Sequence, residues 1–157
     1  MNKRIKKKKL KMENKRLCER YPFLQLRNPW TDKLIKSDYY TNLDEMPNGW
    51  RRAFGQEMCE EIRKVLIKGN YLYDYRVVQI KEKFGALRWY DDGAPDSIYR
   101  ELQDIIYKYE EISEHTCIWC GQPATKISLG WISPWCDNCA DKMGGKFRNI
   151  SEEPLVF

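Results

Sequence analysis

Two cysteine pairs, Cys117-Ile118-Trp119-Cys120 and Cys136-Asp137-Asn138-Cys139, stand fifteen residues apart. This C-x2-C-x15-C-x2-C spacing fits a four-thiolate zinc site, because two intervening residues let both sulfurs of a pair face one ion across a tight turn. Gly121 directly follows the first pair, where the chain often needs a positive φ. Two disulfides or four ordinary buried thiols are the alternatives. Disulfides fit poorly, since the basic start of the chain is not followed by the apolar stretch and cleavage site of an export signal. Cys117, Cys120, Cys136 and Cys139 are therefore read as ligands of one Zn2+ per chain. Four thiolates fill the tetrahedral shell, so the ion is expected to be structural and to contribute on the order of 10 kcal/mol of folding free energy. His115, two residues upstream, is read as a neighbour of the site rather than a ligand.

The segment between the pairs narrows the architecture of residues 115–150. Thr125-Lys126-Ile127-Ser128-Leu129 and Trp131-Ile132-Ser133 read as two short strands around Gly130, and Ala140-Asp141-Lys142-Met143 reads as the start of a helix ending at Gly144-Gly145. A hairpin followed by a helix that carries the last two ligands is a treble clef; without the helix it is a zinc ribbon. The treble clef is the expectation. Trp119, Trp131 and Trp135 serve either as a miniature core or as stacking platforms. Trp131 is assigned to the core; the other two stay open to contacts outside the module.

With 157 residues the chain is one domain, or one domain with a small appendage. Trp50, Phe54, Met58, Ile62, Val65 and Leu66 make one apolar helical face that closes at Gly69-Asn70, with Cys59 beside it as a small core residue. Residues 71–91 alternate as a β-hairpin: Val78, Ile80 and Glu82 against Val77, Gln79 and Lys81, then Leu87 and Trp89 against Arg88 and Tyr90, around the turn Lys83-Phe84-Gly85-Ala86. Tyr71, Tyr73 and Tyr75 share one parity, which allows the first strand an early start. Ile98, Leu102, Ile105, Ile106, Tyr109 and Ile112 make a second helical stripe, with Asp96 or Ser97 as its N-cap. The expected fold class is α+β: two amphipathic helices packed on a β-hairpin over residues 48–114, followed by the zinc module.

The formal charge of +5 averages two unlike parts. Residues 1–20 hold ten Lys or Arg against Glu13 and Glu19, a balance of +8, which leaves −3 for the rest of the chain. The run Lys6-Lys7-Lys8-Lys9 repels itself, so residues 1–16 are expected to be a disordered tail or a frayed helix when free. Such a segment either binds phosphate backbones through counterion release or merely solubilises the chain. Residues 17–47, broken by Pro22, Pro29 and Pro47 and carrying Tyr21-Pro22-Phe23, Pro29-Trp30 and Asp38-Tyr39-Tyr40, read as an irregular aromatic-rich arm lying on the core. No window approaches the roughly 18 apolar residues that a membrane-spanning helix needs.

A lone histidine removes most acid–base and nucleophilic triads, and neither a P-loop nor a dinucleotide glycine pattern is present. Glu57, Glu60, Glu61, Asp91 and Asp92 are the carboxylates left to converge on a second metal; their plainer reading is a solvated helix face and a turn.

Four stretches together resemble a family of small proteins of bacteriophages and prophages. They are Tyr21-Pro22-Phe23-Leu24 with Arg27-Asn28-Pro29-Trp30-Thr31; Leu43-Asp44-Glu45-Met46-Pro47-Asn48-Gly49-Trp50 running into Ala53-Phe54-Gly55; Ile80-Lys81-Glu82-Lys83-Phe84-Gly85-Ala86-Leu87-Arg88-Trp89-Tyr90; and the finger. The resemblance covers nearly everything after the basic segment. It implies a genomic setting, a bacterial cytoplasm and a zinc finger, but no activity and no catalytic residue. Small zinc proteins in that setting are DNA-binding accessories or inhibitors that dock on host machinery, including defence systems. Three readings follow. In the first, the protein binds nucleic acid or nucleoprotein through Lys6, Lys7, Lys8, Lys9, Lys81, Lys83, Arg88, Lys126 and Lys146. In the second it docks on a host protein complex through Trp30, Phe84, Trp119 and Trp135. In the third it is a metal-dependent hydrolase using the acidic residues.

Overall fold

Trp50, Met58, Ile62 and Leu66 are completely buried, and Phe54 and Val65 nearly so, which makes the stripe read from the sequence the spine of the core. The structure is a computed structural model that describes residues 2–35 and 40–150; Asp38 and Tyr39 of the expected arm lie outside them. The stripe steps by four residues from Trp50 to Ile62, whereas an α-helix turns every 3.6, so a regular helix would rotate that face away from the core. A π-helical turn at Arg51–Gly55 joins α2 (Asn48–Trp50) to α3 (Gln56–Lys68) and supplies the missing rotation. Asn70 closes the helix in a left-handed conformation, at φ 52°.

The hairpin pairs β1 (Val77–Lys83) with β2 (Ala86–Asp91) in antiparallel register. Phe84 and Gly85, both at positive φ (52° and 81°), form its two-residue turn. A bulge at Val78 shifts the alternation, so Val77 and Ile80 face the core while Val78 is exposed. Strict alternation would have put Val78 and Ile80 on one face. Tyr71 to Tyr75 form turns rather than an early strand; the buried Tyr75 hydroxyl donates to Asp91 at 2.7 Å and accepts from Trp89 Nε1 at 3.1 Å. A two-stranded sheet has two open edges, and here side chains occupy both. Glu45 accepts the Ile80 N–H at 2.9 Å, and Ser113 Oγ accepts the Leu87 N–H at 2.8 Å.

That last bond explains a departure in α4 (Asp96–Glu114), which packs on α3 and β2. Ile98, Leu102, Ile106 and Tyr109 are buried as expected, but in the final turn Ser113 takes the inward place and Ile112 is exposed. The helix is entered from Pro95, and neither Asp96 nor Ser97 supplies an N-cap.

Tyr21, Phe23, Leu24, Leu43 and Met46 are all buried in the main core, so the arm is structural. Of the two states expected for residues 1–16, a disordered tail or a frayed helix, the described residues take the helical one, in α1 (Lys3–Arg20). Side chains of its last turns hold it. Asn14, 2% exposed, donates to Asp44 at 2.9 Å, and Asp44 also accepts the Thr41 N–H at 2.7 Å and pairs with Arg51. Arg20 makes a two-pronged contact with Glu60, at 2.8 and 2.6 Å. Residues 2–13 are all exposed.

The C-terminal unit is a three-stranded sheet in the order β4-β3-β5, with β3 at Lys126–Ser128, β4 at Pro134–Trp135 and β5 at Phe147–Asn149, plus α5 (Asp137–Met143). The strand expected at 131–133 is displaced to β4. Ser128 Oγ donates to the Trp131 carbonyl at 2.5 Å and accepts the Ser133 N–H at 3.0 Å, which closes 129–133 as a loop.

This unit is not a separate bead. Gly49 N–H donates to the Ile118 carbonyl at 2.9 Å, and Trp50 Nε1 to the Thr116 carbonyl at 2.9 Å. A Cβ on Gly49 would lie 2.3 Å from the Cys117 oxygen, and one on Gly121 would lie 2.6 Å from the Gly49 oxygen. These obstacles are backbone atoms with no rotamer to change. Gly49→Ala is accordingly expected to destabilise the protein by about 2 kcal/mol or more, read as a lower urea midpoint. The α1 anchor carries its own pH signature. Hydrogen bonds from Arg20 and Tyr21 hold the Glu60 carboxyl down at about 2. Its contribution is complete above the ordinary carboxylate range and is lost as pH falls toward 2. The stability difference between wild type and Glu60→Gln should therefore shrink between about pH 4.5 and 2 in acid-unfolding curves.

Candidate metal centre

The first cysteine pair sits in a turn. Cys117 N–H donates to the Gln122 carbonyl at 2.7 Å, Gly121 N–H donates to the Cys117 carbonyl at 3.0 Å, and Gly121 has φ 83° as its place after the pair implied. The second pair sits at the start of α5, where Cys136 is the N-cap and its sulfur accepts the Cys139 N–H at 3.4 Å. A cysteine knuckle, a short hairpin and a helix bearing the last two ligands form the treble-clef arrangement, not the ribbon.

All four Sγ atoms lie within 4.8 Å of one another, and all four thiols are free. Cys120 and Cys136 sulfurs are 3.6 Å apart, far beyond a disulfide bond of about 2.05 Å. The separation is close to the roughly 3.8 Å between corners of a tetrahedron with metal–sulfur bonds of about 2.3 Å. Main-chain N–H groups favour thiolates here. Burial pushes the Cys117 thiol up, but backbone hydrogen bonding around Cys120, Cys136 and Trp119 outweighs it and brings Cys117 to about 7. Gln122 N–H donates to the Cys120 sulfur at 3.4 Å and favours its thiolate, but burial and the neighbouring sulfurs leave that thiol raised. Burial and the neighbouring sulfurs push Cys139 up to about 12. Sulfurs packed this closely cannot all ionise without a cation between them, so the donor set fits a divalent thiophilic ion.

Trp135 was expected among the exposed contacts. It is 8% exposed, packs edge-on against Phe147 at 6.2 Å between ring centroids and donates through Nε1 to Ser133 Oγ at 2.7 Å. With Cys117, Cys139 and Ala140 it makes the finger's own small core. Trp131 was assigned to that core and is instead 78% exposed, because the Ser128 bonds hold 129–133 outside the sheet. Trp119 is exposed in the knuckle.

The remaining candidates are spread over the surface. Lys6, Lys7, Lys8 and Lys9 lie on the exposed part of α1. Lys81 and Arg88 are cross-strand partners on the hairpin; Lys81 lies over the Tyr90 ring and Arg88 bonds the Leu87 carbonyl. Lys83 lies over the ring of Phe84, which is 74% exposed at the hairpin tip. Lys126 pairs with Asp137 at 3.7 Å, and Lys146 is exposed before β5. Trp30 is exposed in a loop where Asn28 Oδ1 accepts its N–H at 2.8 Å and that of Thr31 at 3.1 Å. The Arg76–Asp32 ion pair places that loop near the start of β1, at the far end of the strand from Phe84.

Sequence reasoning missed two things that position the site: the backbone contact at Gly49, and the packing of the hairpin tip against the finger loop. A Cβ on Gly85 would come 3.2 Å from Ile132 Cγ2. A glycine directly before the buried Trp50 is the local signal for the first; no local signal exists for the second. The acidic candidates do not converge: Glu60 serves Arg20 and Tyr21, Glu61 serves Lys108, and Asp91 serves Tyr75. Among the described residues, the four cysteines are the one group placed to share an ion. His115 is not in it.

No protein-family model matches the chain, and neither a curated protein nor a solved structure does. Of the features quoted for the resemblance, the structure bears on the four cysteines, which gather within metal-binding distance. The cluster predicts one equivalent of tightly bound metal per chain by elemental analysis, lost in Cys139→Ser. Because binding requires four thiolates, affinity should fall as pH falls, and chelator at pH 5 should strip the ion faster than at pH 8.

Proposed function

We propose that the protein is a non-enzymatic zinc-containing accessory protein of phage type that binds nucleic acid or a nucleoprotein. The observation that carries this reading is the separation of charge: a balance of +8 over residues 1–20, most of it on the exposed part of α1, beside a body of −3. Cations concentrated on one exposed element bind phosphates by releasing counterions, whereas a mildly acidic body adds little. Zinc suits four clustered thiolates, and with every tetrahedral position taken by sulfur its role is structural. It holds the knuckle against Gly49 and so stiffens the body from which α1 extends. No described helix is long and apolar enough to cross a membrane.

A second reading, docking on a protein partner, is favoured by one observation. Phe84 occupies a left-handed position usually taken by Asn, Asp or Gly, and it is exposed beside a finger loop that displays Trp131. Large aromatic side chains in exposed loops are typical anchors of protein interfaces.

Fluorescence anisotropy with labelled duplex and single-stranded nucleic acid separates the two. On the first reading, affinity falls by roughly a thousandfold between 50 and 200 mM salt, and Phe84→Ala with Trp131→Ala changes it little. Absence of any binding at low salt would defeat the first reading and leave the second.

A further inference from the structure

We propose that the outer edge of β5, together with the groove between the hairpin tip and the finger loop, docks an extended acidic segment of a partner protein by strand addition. This rests on the docking reading above, and it names the partner's chemistry and the element that holds it.

The two sheets have four edges, and three of them are filled. Glu45 meets β1 at Ile80, Ser113 meets β2 at Leu87, and Ile118 N–H donates to the Pro134 carbonyl of β4 at 3.0 Å. The fourth edge is β5. Leu129 N–H donates to the Lys146 carbonyl and Ile150 N–H to the Thr125 carbonyl, both at 2.9 Å, so the bonded positions alternate through Arg148. In an antiparallel ladder the residues between bonded positions turn their N–H and carbonyl groups the other way. Phe147 and Asn149 therefore point theirs outward, and among the described residues these groups meet no hydrogen-bond partner. An unfilled edge is a template for one more strand.

Arg148 joins this edge to the groove. Pro134, Ile127 and Arg148 are cross-strand partners that make one row across the finger sheet. With Phe84, Ile132 and Glu114 they line a groove of about 290 Å³. Its apolar rims are held by hydrogen bonds. Phe84, at φ 52°, stands in a turn where Gly85 N–H donates to Glu82 at 2.7 Å, and Ile132 lies in the loop that Ser128 closes. A phenylalanine in the left-handed region carries strain that Asn or Gly would relieve, so this turn keeps an exposed ring at a cost to stability.

Charge and main-chain chemistry select the occupant. Lys83, Lys146 and Arg148 border the edge and the groove, against Glu114, while Glu82 is engaged by the Gly85 N–H. That surface suits an acidic segment. A second copy of the chain does not fit, because full antiparallel overlap of β5 with another β5 sets Arg148 opposite Arg148. Nucleic acid does not fit the edge either: its phosphodiester backbone has no N–H donors for the outward carbonyls of Phe147 and Asn149. A polypeptide strand satisfies donors and acceptors together.

The test is an amide NMR titration of the full, isotope-labelled and metal-loaded chain with the synthetic peptide acetyl-Glu-Glu-Val-Phe-Val-Glu-Glu-amide. Shifts are expected to concentrate at Phe84, Ile132, Phe147 and Asn149, and the Phe147 and Asn149 amides should exchange more slowly with solvent. The same peptide with Lys in place of Glu should not bind. Asn149→Pro removes one outward N–H at an edge position, where proline is tolerated, and should weaken binding about tenfold. Phe84→Asn removes the ring and relieves the turn, so binding should weaken about tenfold while the thermal midpoint stays at or above that of wild type. Tyr99→Ala, exposed at the opposite end of α4 from Glu114, should change neither. One of the two peptides N-methylated at alternate residues should also lose binding to wild-type protein, a result that needs no folded Asn149→Pro variant. Absence of binding by the acidic peptide, equal binding by the Lys peptide, or full binding by both N-methylated peptides would overturn the proposal and leave the docking reading to a partner of another kind. The docking reading itself falls on a separate result: loss of nucleic-acid affinity in Phe84→Asn, measured by anisotropy, would make the hairpin tip a nucleic-acid contact.

Discussion

Main-chain contact between the cysteine knuckle and the first turn of α2 is the constraint on which the other parts depend. Gly49 lies against the carbonyls of Cys117 and Ile118, and Gly121 lies against the carbonyl of Gly49. Neither position has room for a side chain. Trp50, completely buried, reaches through the same contact to the Thr116 carbonyl while its ring opens the apolar stripe of α2 and α3. Organising the four sulfurs therefore organises the start of the principal helix. An ion bound there would steady more than an appended finger, because the knuckle and the first turn of α2 share main-chain contacts.

Polar anchors do for α1 what apolar packing does for the core. Asp44 is their hub, joining Asn14 of α1, the turn at Thr41 and Arg51 of the π-helical turn. The π turn has two consequences at once: it keeps Trp50 and Phe54 on the buried face, and it leaves Arg51 beside Asp44. Loss of one member would leave a partly buried polar group unpaired, a larger penalty than an exposed ion pair carries. The last turns of the charged helix are thereby held through Asn14 and Arg20.

How far the sequence could be read depended on whether a residue's neighbours were local. The stripe from Trp50 to Leu66, the parity of Leu87 and Trp89 and the helix end at Gly144 were legible because each follows from periodicity or from φ at one residue. Val78, Ile112, Trp131 and Trp135 were misplaced. Val78 lies at a bulge, and Ser113 displaced Ile112 because its hydroxyl was needed by the Leu87 N–H across the structure. Trp131 and Trp135 exchanged expected roles through the Ser128 hydroxyl, whose bonds close a loop that hydrophobicity alone reads as a strand. For the basic segment both a disordered tail and a helix stood open; the choice came through Asp44 and Glu60, which are thirty and forty residues from their partners in α1.

By itself the sequence determined the four clustered cysteines as candidates, the two amphipathic helices, the hairpin and the division of charge. These rest on spacing and composition, and such short-range quantities survive whatever the rest of the chain does. Tertiary structure alone decided that the four sulfurs lie close together, that the knuckle is seated on Gly49, that the carboxylates go to separate partners and that the basic helix is tied down through Asn14 and Arg20. All four depend on atoms far apart in sequence meeting at van der Waals or hydrogen-bond distance. A linear pattern cannot encode that without the packing that brings them together.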